Sequence, residues 1–153
     1  MTRYFAFASI ILLSGCTDVL TPSGVSVRIE NDDPAVIEEP RWASRSSDAR
    51  TSRNSQISSR TPGDTVRLTF TGTQIKWIGN MDKCSGKATL LLDGRASEID
   101  TYQDTLPTTF QHTIYVSPVL SRGEHTLEIR VLGTARPGAC DPWVYVDAFD
   151  VLP

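Results

Sequence analysis

The chain has 153 residues, with 15 basic and 18 acidic side chains and a formal net charge of −3. This length is enough for one domain with a modest core. A weakly acidic chain lacks the basic surface that nucleic-acid binding requires, so we expect no nucleic-acid partner.

The first predicted element is a leader. Arg3 precedes an apolar run over residues 4–13, which is about half of the ~20 residues that a membrane-spanning helix needs. The segment that ends the run, Leu13-Ser14-Gly15-Cys16, resembles the lipobox of bacterial lipoproteins. A plain secretory signal peptide, cut elsewhere, is the alternative.

The lipobox resemblance implies cleavage before Cys16 and fatty acyl chains, such as palmitate, on that cysteine. Residues 1–15 are then a signal peptide, residues 16–24 a lipidated cysteine with a tether, and residues 25–153 the folded domain. Two or more acyl chains are enough for stable membrane anchoring. Thr17 follows the cysteine, which resembles the pattern for export to the outer membrane of the bacterial cell envelope.

The lipid on Cys16 leaves two cysteines, Cys84 and Cys140, free to pair in an oxidising compartment. A disulfide there would connect two loops at one end of the domain. Two free thiols are the alternative.

Short segments in which apolar and polar residues alternate predict strands along the whole domain. Asp93-Gly94 is the strongest hairpin signal. The predicted strands cover residues 25–29, 66–70, 75–78, 88–92, 99–102, 110–115, 125–131 and 144–149. About eight antiparallel strands without a helix predict an all-β protein with a jelly-roll β-sandwich.

Residues 41–60 form a long polar connection with room for short edge strands. Arginine side chains suit bidentate contacts with carboxylates or phosphates, so this stretch is a candidate for contacts with uronic acids, lipopolysaccharide phosphates or an acidic partner. More often, such a stretch is simply solvated, and that is the alternative. The arginines are Arg41, Arg45, Arg50, Arg53 and Arg60.

Four segments, residues 64–79, 86–94, 122–133 and 143–151, together resemble a galactose-binding-like jelly roll of the carbohydrate-binding-module type. The likeness covers roughly residues 28–152. It implies a β-sandwich that contacts carbohydrate, and in that family the usual context is one domain of a larger enzyme.

The same resemblance implies a structural Ca²⁺ between the acidic end of the first strand and an aspartate of the last one. The matching residues are Glu30, Asp32 and Asp147, with Asp33 beside them. Calcium prefers several hard oxygen ligands. Ordinary surface acids and turn formers are the alternative.

Sugar recognition uses aromatic faces, on which the C–H groups of a pyranose stack. The candidates for carbohydrate contacts are Trp42, Tyr102, Tyr115, Trp143 and Tyr145. Each could instead pack within the sandwich, as we expect for Trp77.

Motifs of known catalytic sites are missing from the sequence, including Gly-x-Ser-x-Gly and His-Glu-x-x-His. The strand patterns place His112 and His125 on apolar faces, where we expect buried hydrogen bonds. We therefore predict a protein that is not an enzyme: a lipid-anchored, non-catalytic carbohydrate-binding lipoprotein. The alternative is a structural or assembly lipoprotein that binds an envelope protein.

Overall fold

A computed structural model describes residues 24–153 except Arg41, Ala43, Thr105 and Leu106, and only the backbone of Ser44 and Arg45. The predicted signal peptide, Cys16 and nearly all of the tether lie outside the described residues. Within the described part, no helix is long and apolar enough to cross a membrane.

Twelve strands and one short 3₁₀ turn, Ser52–Asn54, make up the regular structure of the described residues. The first six strands are β1 (Val27–Glu30), β2 (Val36–Glu39), β3 (Ser44–Ser46), β4 (Gln56–Ser59), β5 (Thr65–Gly72) and β6 (Gln74–Met81). The last six are β7 (Lys87–Leu92), β8 (Arg95–Asp100), β9 (Thr109–Val116), β10 (Gly123–Val131), β11 (Val144–Val146) and β12 (Ala148–Leu152).

The strands form three antiparallel sheets. A four-stranded sheet has the order β1-β12-β6-β9, a five-stranded sheet the order β2-β5-β10-β7-β8, and a small sheet the order β11-β4-β3. The predicted all-β sandwich is therefore confirmed, with more strands than the eight expected.

Alternating burial explains why these segments pair as they do. In β5 every second side chain is buried, and the register places Leu127 of β10 between Leu68 of β5 and Leu92 of β7. A strand with one apolar face buries that face against the other sheet. The core between the sheets contains the large side chains of Trp77 and Phe149, both at most 1% exposed.

The additional strands come from polar sequence. All four residues of β4 are buried although three of them are polar, because other side chains supply hydrogen bonds. Asn80 Nδ2 of β6 donates to Gln56 Oε1, and Ser59 Oγ donates to Asp64 Oδ2 over 2.5 Å. The predicted strand over residues 144–149 is in fact two strands. It divides at Asp147, and its halves β11 and β12 belong to different sheets.

Two local predictions are confirmed. Asp93 and Gly94 adopt φ values of +50° and +79° and join β7 to β8, as a two-residue hairpin requires. Cys84 and Cys140 form a disulfide between the loop before β7 and the loop before β11. Both loops lie at the same end of the sandwich.

Candidate functional site

The disulfide end of the sandwich has a rigid base. The Cys140 amide donates to the Lys83 carbonyl over 3.0 Å, and the Trp143 amide donates to the Cys84 carbonyl over 3.1 Å. Gly86 allows this close approach, because a Cβ at its position would overlap the Pro142 backbone. The two loops are thus held together by hydrogen bonds as well as by the covalent bond.

The side chain of Trp143 lies beside this base and is half-buried. The guanidinium of Arg60 lies 4.9 Å from the centre of the Trp143 ring. Arg60 is oriented by a salt bridge of 2.8 Å from Nη1 to Asp141 Oδ1. A planar cation therefore covers part of the indole, and the Arg60 side chain stays 52% exposed.

Tyr102 repeats this arrangement on the other side of the 82–86 loop. The guanidinium of Arg136 lies 4.6 Å from the centre of the Tyr102 ring and donates to Asp100 Oδ2 over 2.7 Å. The Tyr102 hydroxyl donates to Asp104 Oδ1 over 3.0 Å. A second pair of an arginine and an aromatic ring is thus fixed by a carboxylate.

Tyr145 completes the cluster. Its ring is half-buried, and burial raises the pKa of its hydroxyl, as do the negative charges of Asp82 and Asp141. The hydroxyl therefore stays protonated and available as a donor. We call the cluster of Arg60, Tyr102, Arg136, Asp141, Trp143 and Tyr145 the disulfide-end surface.

The acids around this surface already have partners. Asp82 Oδ1 accepts hydrogen bonds from the Cys84 amide over 2.8 Å and from Ser85 Oγ over 3.0 Å, and Asp82 Oδ2 accepts one from Thr108 Oγ1 over 3.3 Å. Asp82 thus holds the loop in shape. The groups left for a ligand are the remaining N–H groups of the two arginines and the ring surface that they do not cover, which suit the hydroxyl groups of a sugar.

The other two aromatic candidates lie elsewhere. Trp42 is 1% exposed and its Nε1–H donates to the Thr65 carbonyl over 3.1 Å, so it is a core side chain and cannot serve as a sugar platform. Tyr115 is half-buried and lines a separate cleft beside β8. The structure therefore brings together Tyr102, Trp143 and Tyr145 from the predicted set.

Two of the predicted metal ligands meet in the interior. Ser52 joins them: its amide donates to Asp147 Oδ1 over 2.9 Å, and its hydroxyl donates to Glu30 Oε1 over 3.0 Å. Burial raises the pKa of Asp147 to about 6, the Ser52 amide opposes that rise, and the charge of Glu30 adds to it. Asp32 is exposed in the turn after β1, as is Asp33.

The pair of Glu30 and Asp147 fits a hard cation in its chemistry. Glu30 Oε2 is buried and has no hydrogen-bond partner among the described residues. Arg53 Nε lies 3.5 Å from the other oxygen of Glu30, so the charge of the pair is partly balanced already. Within the described ranges, no group of three or more His, Cys, Asp or Glu side chains is placed to share a metal ion. Ca²⁺ binding stays a prediction.

His125 is buried, as the sequence predicts, and bonds two acceptors. Its Nδ1 lies 2.7 Å from Asp93 Oδ2 and its Nε2 lies 2.8 Å from the Ser121 carbonyl oxygen. The Ser121 carbonyl, followed by Asp93, raises the pKa of His125, because only the doubly protonated ring can donate to both. Both ring nitrogens are thus engaged, and neither is placed to act as a general base.

The prediction of a buried His112 is wrong, because its side chain is exposed. The pairing of β9 with β6 shifts register on both sides of Ile78–Gly79, and Gln111 adopts a φ of +49°. Such an irregularity changes which residues of a strand face the core.

The arginine-rich stretch is divided by the fold. Arg60 lies in the disulfide-end surface, whereas Arg50 pairs with Asp48 over 2.7 Å and covers the ring of Phe110 at 4.0 Å. Arg41 and the side chain of Arg45 lie outside the described part of the chain. Sequence reasoning missed Arg136 and Asp141, because neither lies in a recognisable motif.

Comparison with known proteins finds a similar sequence in a carbohydrate-active enzyme. No protein-family model matches the chain. A curated relative from Flavonifractor plautii, "A type blood N-acetyl-alpha-D-galactosamine deacetylase", is 28% identical over 111 residues, which are 72% of this chain and 14% of the relative. The chain therefore spans a small part of that enzyme's length.

Solved structures share the fold at low sequence identity. A two-domain esterase active on acetylated mannans, co-crystallized with mannopentaose, superposes with a TM-score of 0.59 at 17% identity, over 88% of this chain and 39% of the esterase. A family two carbohydrate esterase from Cellvibrio japonicus gives a TM-score of 0.53 at 12% identity, over 82% of this chain and 33% of that chain.

These findings correct the functional prediction. The structural neighbours, at 12–17% identity, show the fold alone. The curated relative is a deacetylase, and this finding contradicts both the prediction of a non-catalytic lipoprotein and the prediction that the chain is not an enzyme. The same finding contradicts the alternative of a structural or assembly lipoprotein. The carbohydrate-related β-sandwich, by contrast, agrees with the resemblance found in the sequence.

Proposed function

We propose that this chain works in a carbohydrate-active enzyme that processes acetylated glycans, and that its disulfide-end surface contacts the glycan. The single observation that carries the proposal is the likeness to a deacetylase over 111 residues. The geometry supports it, because two arginine–aromatic pairs flank one rigid loop and present donors and ring faces together.

Acetate release tests this proposal. The full chain is incubated with acetylated manno-oligosaccharides and with glycans that end in N-acetylgalactosamine, and acetate is measured by NMR. At substrate concentrations below KM, we expect release that falls about fivefold in Trp143→Ala, since the lost ring contact contributes about 1 kcal/mol to glycan binding. Absence of both release and binding for every acetylated glycan, with protein shown to be folded by circular dichroism, overturns it.

We further propose that Glu30 and Asp147 hold Ca²⁺ as a structural ion. A bound ion would satisfy the free Glu30 oxygen and add stability to the junction between β11 and β12. At a concentration 100 times its Kd, Ca²⁺ would stabilise the fold by about 2.7 kcal/mol. Thermal unfolding in Ca²⁺, in Mg²⁺ and in EDTA tests this, and equal melting temperatures in all three would contradict it.

We propose that lipid on Cys16 anchors the protein to the bacterial cell envelope, at the outer membrane. The support is the sequence Leu13-Ser14-Gly15-Cys16. Labelled palmitate should enter the wild-type chain in its native host and not Cys16→Ser. Recovery of unlabelled, freely diffusing wild-type protein would contradict the anchor.

A further inference from the structure

A cleft of about 590 Å³ opens between the two sheets, away from the disulfide-end surface. It lies where β8, the edge of the five-stranded sheet, faces the segment 117–121 that follows β9, the edge of the four-stranded sheet. The first half of β8 lines the cleft. Asp100, the partner of Arg136, lies at the other end of β8, roughly 17 Å from Arg95, because a strand rises about 3.3 Å per residue. We call it the β8 cleft.

The walls of the β8 cleft combine apolar surface with hydroxyl groups. Leu92 and Leu120 form part of its lining, and Val119 contributes a side chain that is 51% exposed. Ser97 and Tyr115 add hydroxyls, and burial raises the pKa of Tyr115, which keeps that hydroxyl protonated. A volume of this size is typical of sites for small molecules, and mixed walls suit a ring with one apolar and one polar face.

Arg95 supplies a positive charge to the β8 cleft. Among the described residues it forms no hydrogen bond and no ion pair, and it acts on Asp93 through its charge alone. Asp93 is already engaged: its Oδ1 accepts from the Thr126 amide over 2.9 Å, and its Oδ2 accepts from His125 over 2.7 Å. The guanidinium of Arg95 is therefore available to an anion from outside.

His125 makes the cleft rigid. By bonding Asp93 in the β7–β8 turn and the Ser121 carbonyl in segment 117–121, one imidazole ties both walls together. The Leu120 amide also donates to the Thr73 carbonyl over 2.7 Å. A cleft whose walls are already fixed loses little entropy when a ligand enters.

We propose that the β8 cleft binds a sugar that carries a carboxylate, with Arg95 on the carboxylate and Tyr115 and Ser97 on hydroxyls. A planar guanidinium matches a carboxylate through two parallel hydrogen bonds. That the ligand is a sugar rests on the proposed function; that it is an anion rests on Arg95. The β8 cleft would then be a second contact for a glycan that also reaches the disulfide-end surface.

Titration by NMR tests the proposal with defined probes. Glucuronate and galacturonate are added to the isotope-labelled full chain, with glucose and galactose as neutral controls. We expect the two uronates to shift the amide signals of Arg95, Ser97 and Ser121, and to bind at least tenfold more tightly than the neutral sugars.

Variants distinguish uronate binding in the cleft from a general effect of positive charge. Arg95→Ala should weaken uronate binding at least tenfold, and Arg95→Lys should restore only part of it. Arg122 is another exposed arginine, which directly follows Ser121 of the cleft wall but does not line the cleft, so Arg122→Ala should leave the Kd unchanged.

Equal Kd values for wild type and Arg95→Ala, uronate shifts confined to other surfaces, or no uronate shifts at all would overturn the proposal. Unchanged acetate release in Arg95→Ala would leave the proposed function standing. Loss of acetate release in Trp143→Ala with intact uronate binding would show that the two surfaces are separate.

Discussion

The two ends of the β7–β8 hairpin are stabilised by different chemistry. At the disulfide end, a covalent bond joins two loops, and both arginines, Arg60 and Arg136, are paired with carboxylates. At the turn end, a single protonatable ring joins two segments through hydrogen bonds to Asp93 and Ser121. The first end should therefore respond to reductant and the second to pH.

The largest loss of stability should come from removing the disulfide. Cys84 and Cys140 are 56 residues apart, so the chain-entropy model gives about 4 kcal/mol of stabilisation. Cys84→Ser should lower the free energy of unfolding by about that amount, as measured by urea denaturation. Reduction of the wild type should reproduce the loss, and identical unfolding of reduced and oxidised wild type would contradict it.

Removing the ring at the turn end should cost less. His125→Gln leaves Asp93 and the Ser121 carbonyl with poorer partners, so we expect a loss of about 1–3 kcal/mol. Asp93→Asn keeps the shape of the partner while removing its charge, so it should lose part of the same stability. A variant as stable as wild type would show that the ring does not hold the turn.

The stability contributed by the turn end should also depend on pH. The pKa of His125 is raised in the folded state above its usual 6.5, so its contribution to stability is complete below that value. That contribution is lost as pH rises through the folded pKa. Urea denaturation from pH 5 to pH 9 should show wild type losing stability relative to His125→Gln, and parallel curves would contradict this.

Two glycines sharpen the comparison, because each end needs glycine for a different reason. Gly94 has a φ of +79°, and a Cβ there would meet nothing within 4 Å, whereas a Cβ at Gly86 would meet the Pro142 backbone. Gly94→Ala should cost about 1–2 kcal/mol through backbone strain, and Gly86→Ala about 1–3 kcal/mol through overlap. Asparagine tolerates positive φ, so Gly94→Asn should recover stability in urea denaturation and Gly86→Asn should not.

The smallest loss of stability should come from a substitution at the disulfide-end surface. The salt bridge of Arg60 with Asp141 is exposed, and such pairs contribute about 0–1 kcal/mol. Arg60→Ala should thus leave the melting temperature nearly unchanged while weakening glycan binding. A large loss of stability would show that the pair serves the fold and not a ligand.

The sequence predicts those features of the fold that depend on local patterns of residues. The Asp93-Gly94 turn and the alternating strands follow from backbone preferences and burial on one face, and both are confirmed. Strand β4 could not be predicted, because its polar residues are buried with partners supplied by other segments, such as Asn80 for Gln56.

The candidate site shows the same limit. Trp143 and Tyr102 stand out in the sequence as aromatic residues. Arg136 does not, because only the tertiary fold places it over Tyr102. The prediction for Trp42 is wrong for the converse reason: this residue lies within a polar stretch of the sequence, yet the fold places it in the core.

The most direct test of the central claim is to map where an acetylated glycan binds. Acetylated and deacetylated manno-oligosaccharides are titrated into the isotope-labelled chain, and amide shifts are followed by NMR. We predict the largest shifts in residues 82–86, 100–104 and 140–145, with tighter binding of the acetylated form. Shifts confined to other surfaces, or none with either form, would contradict it.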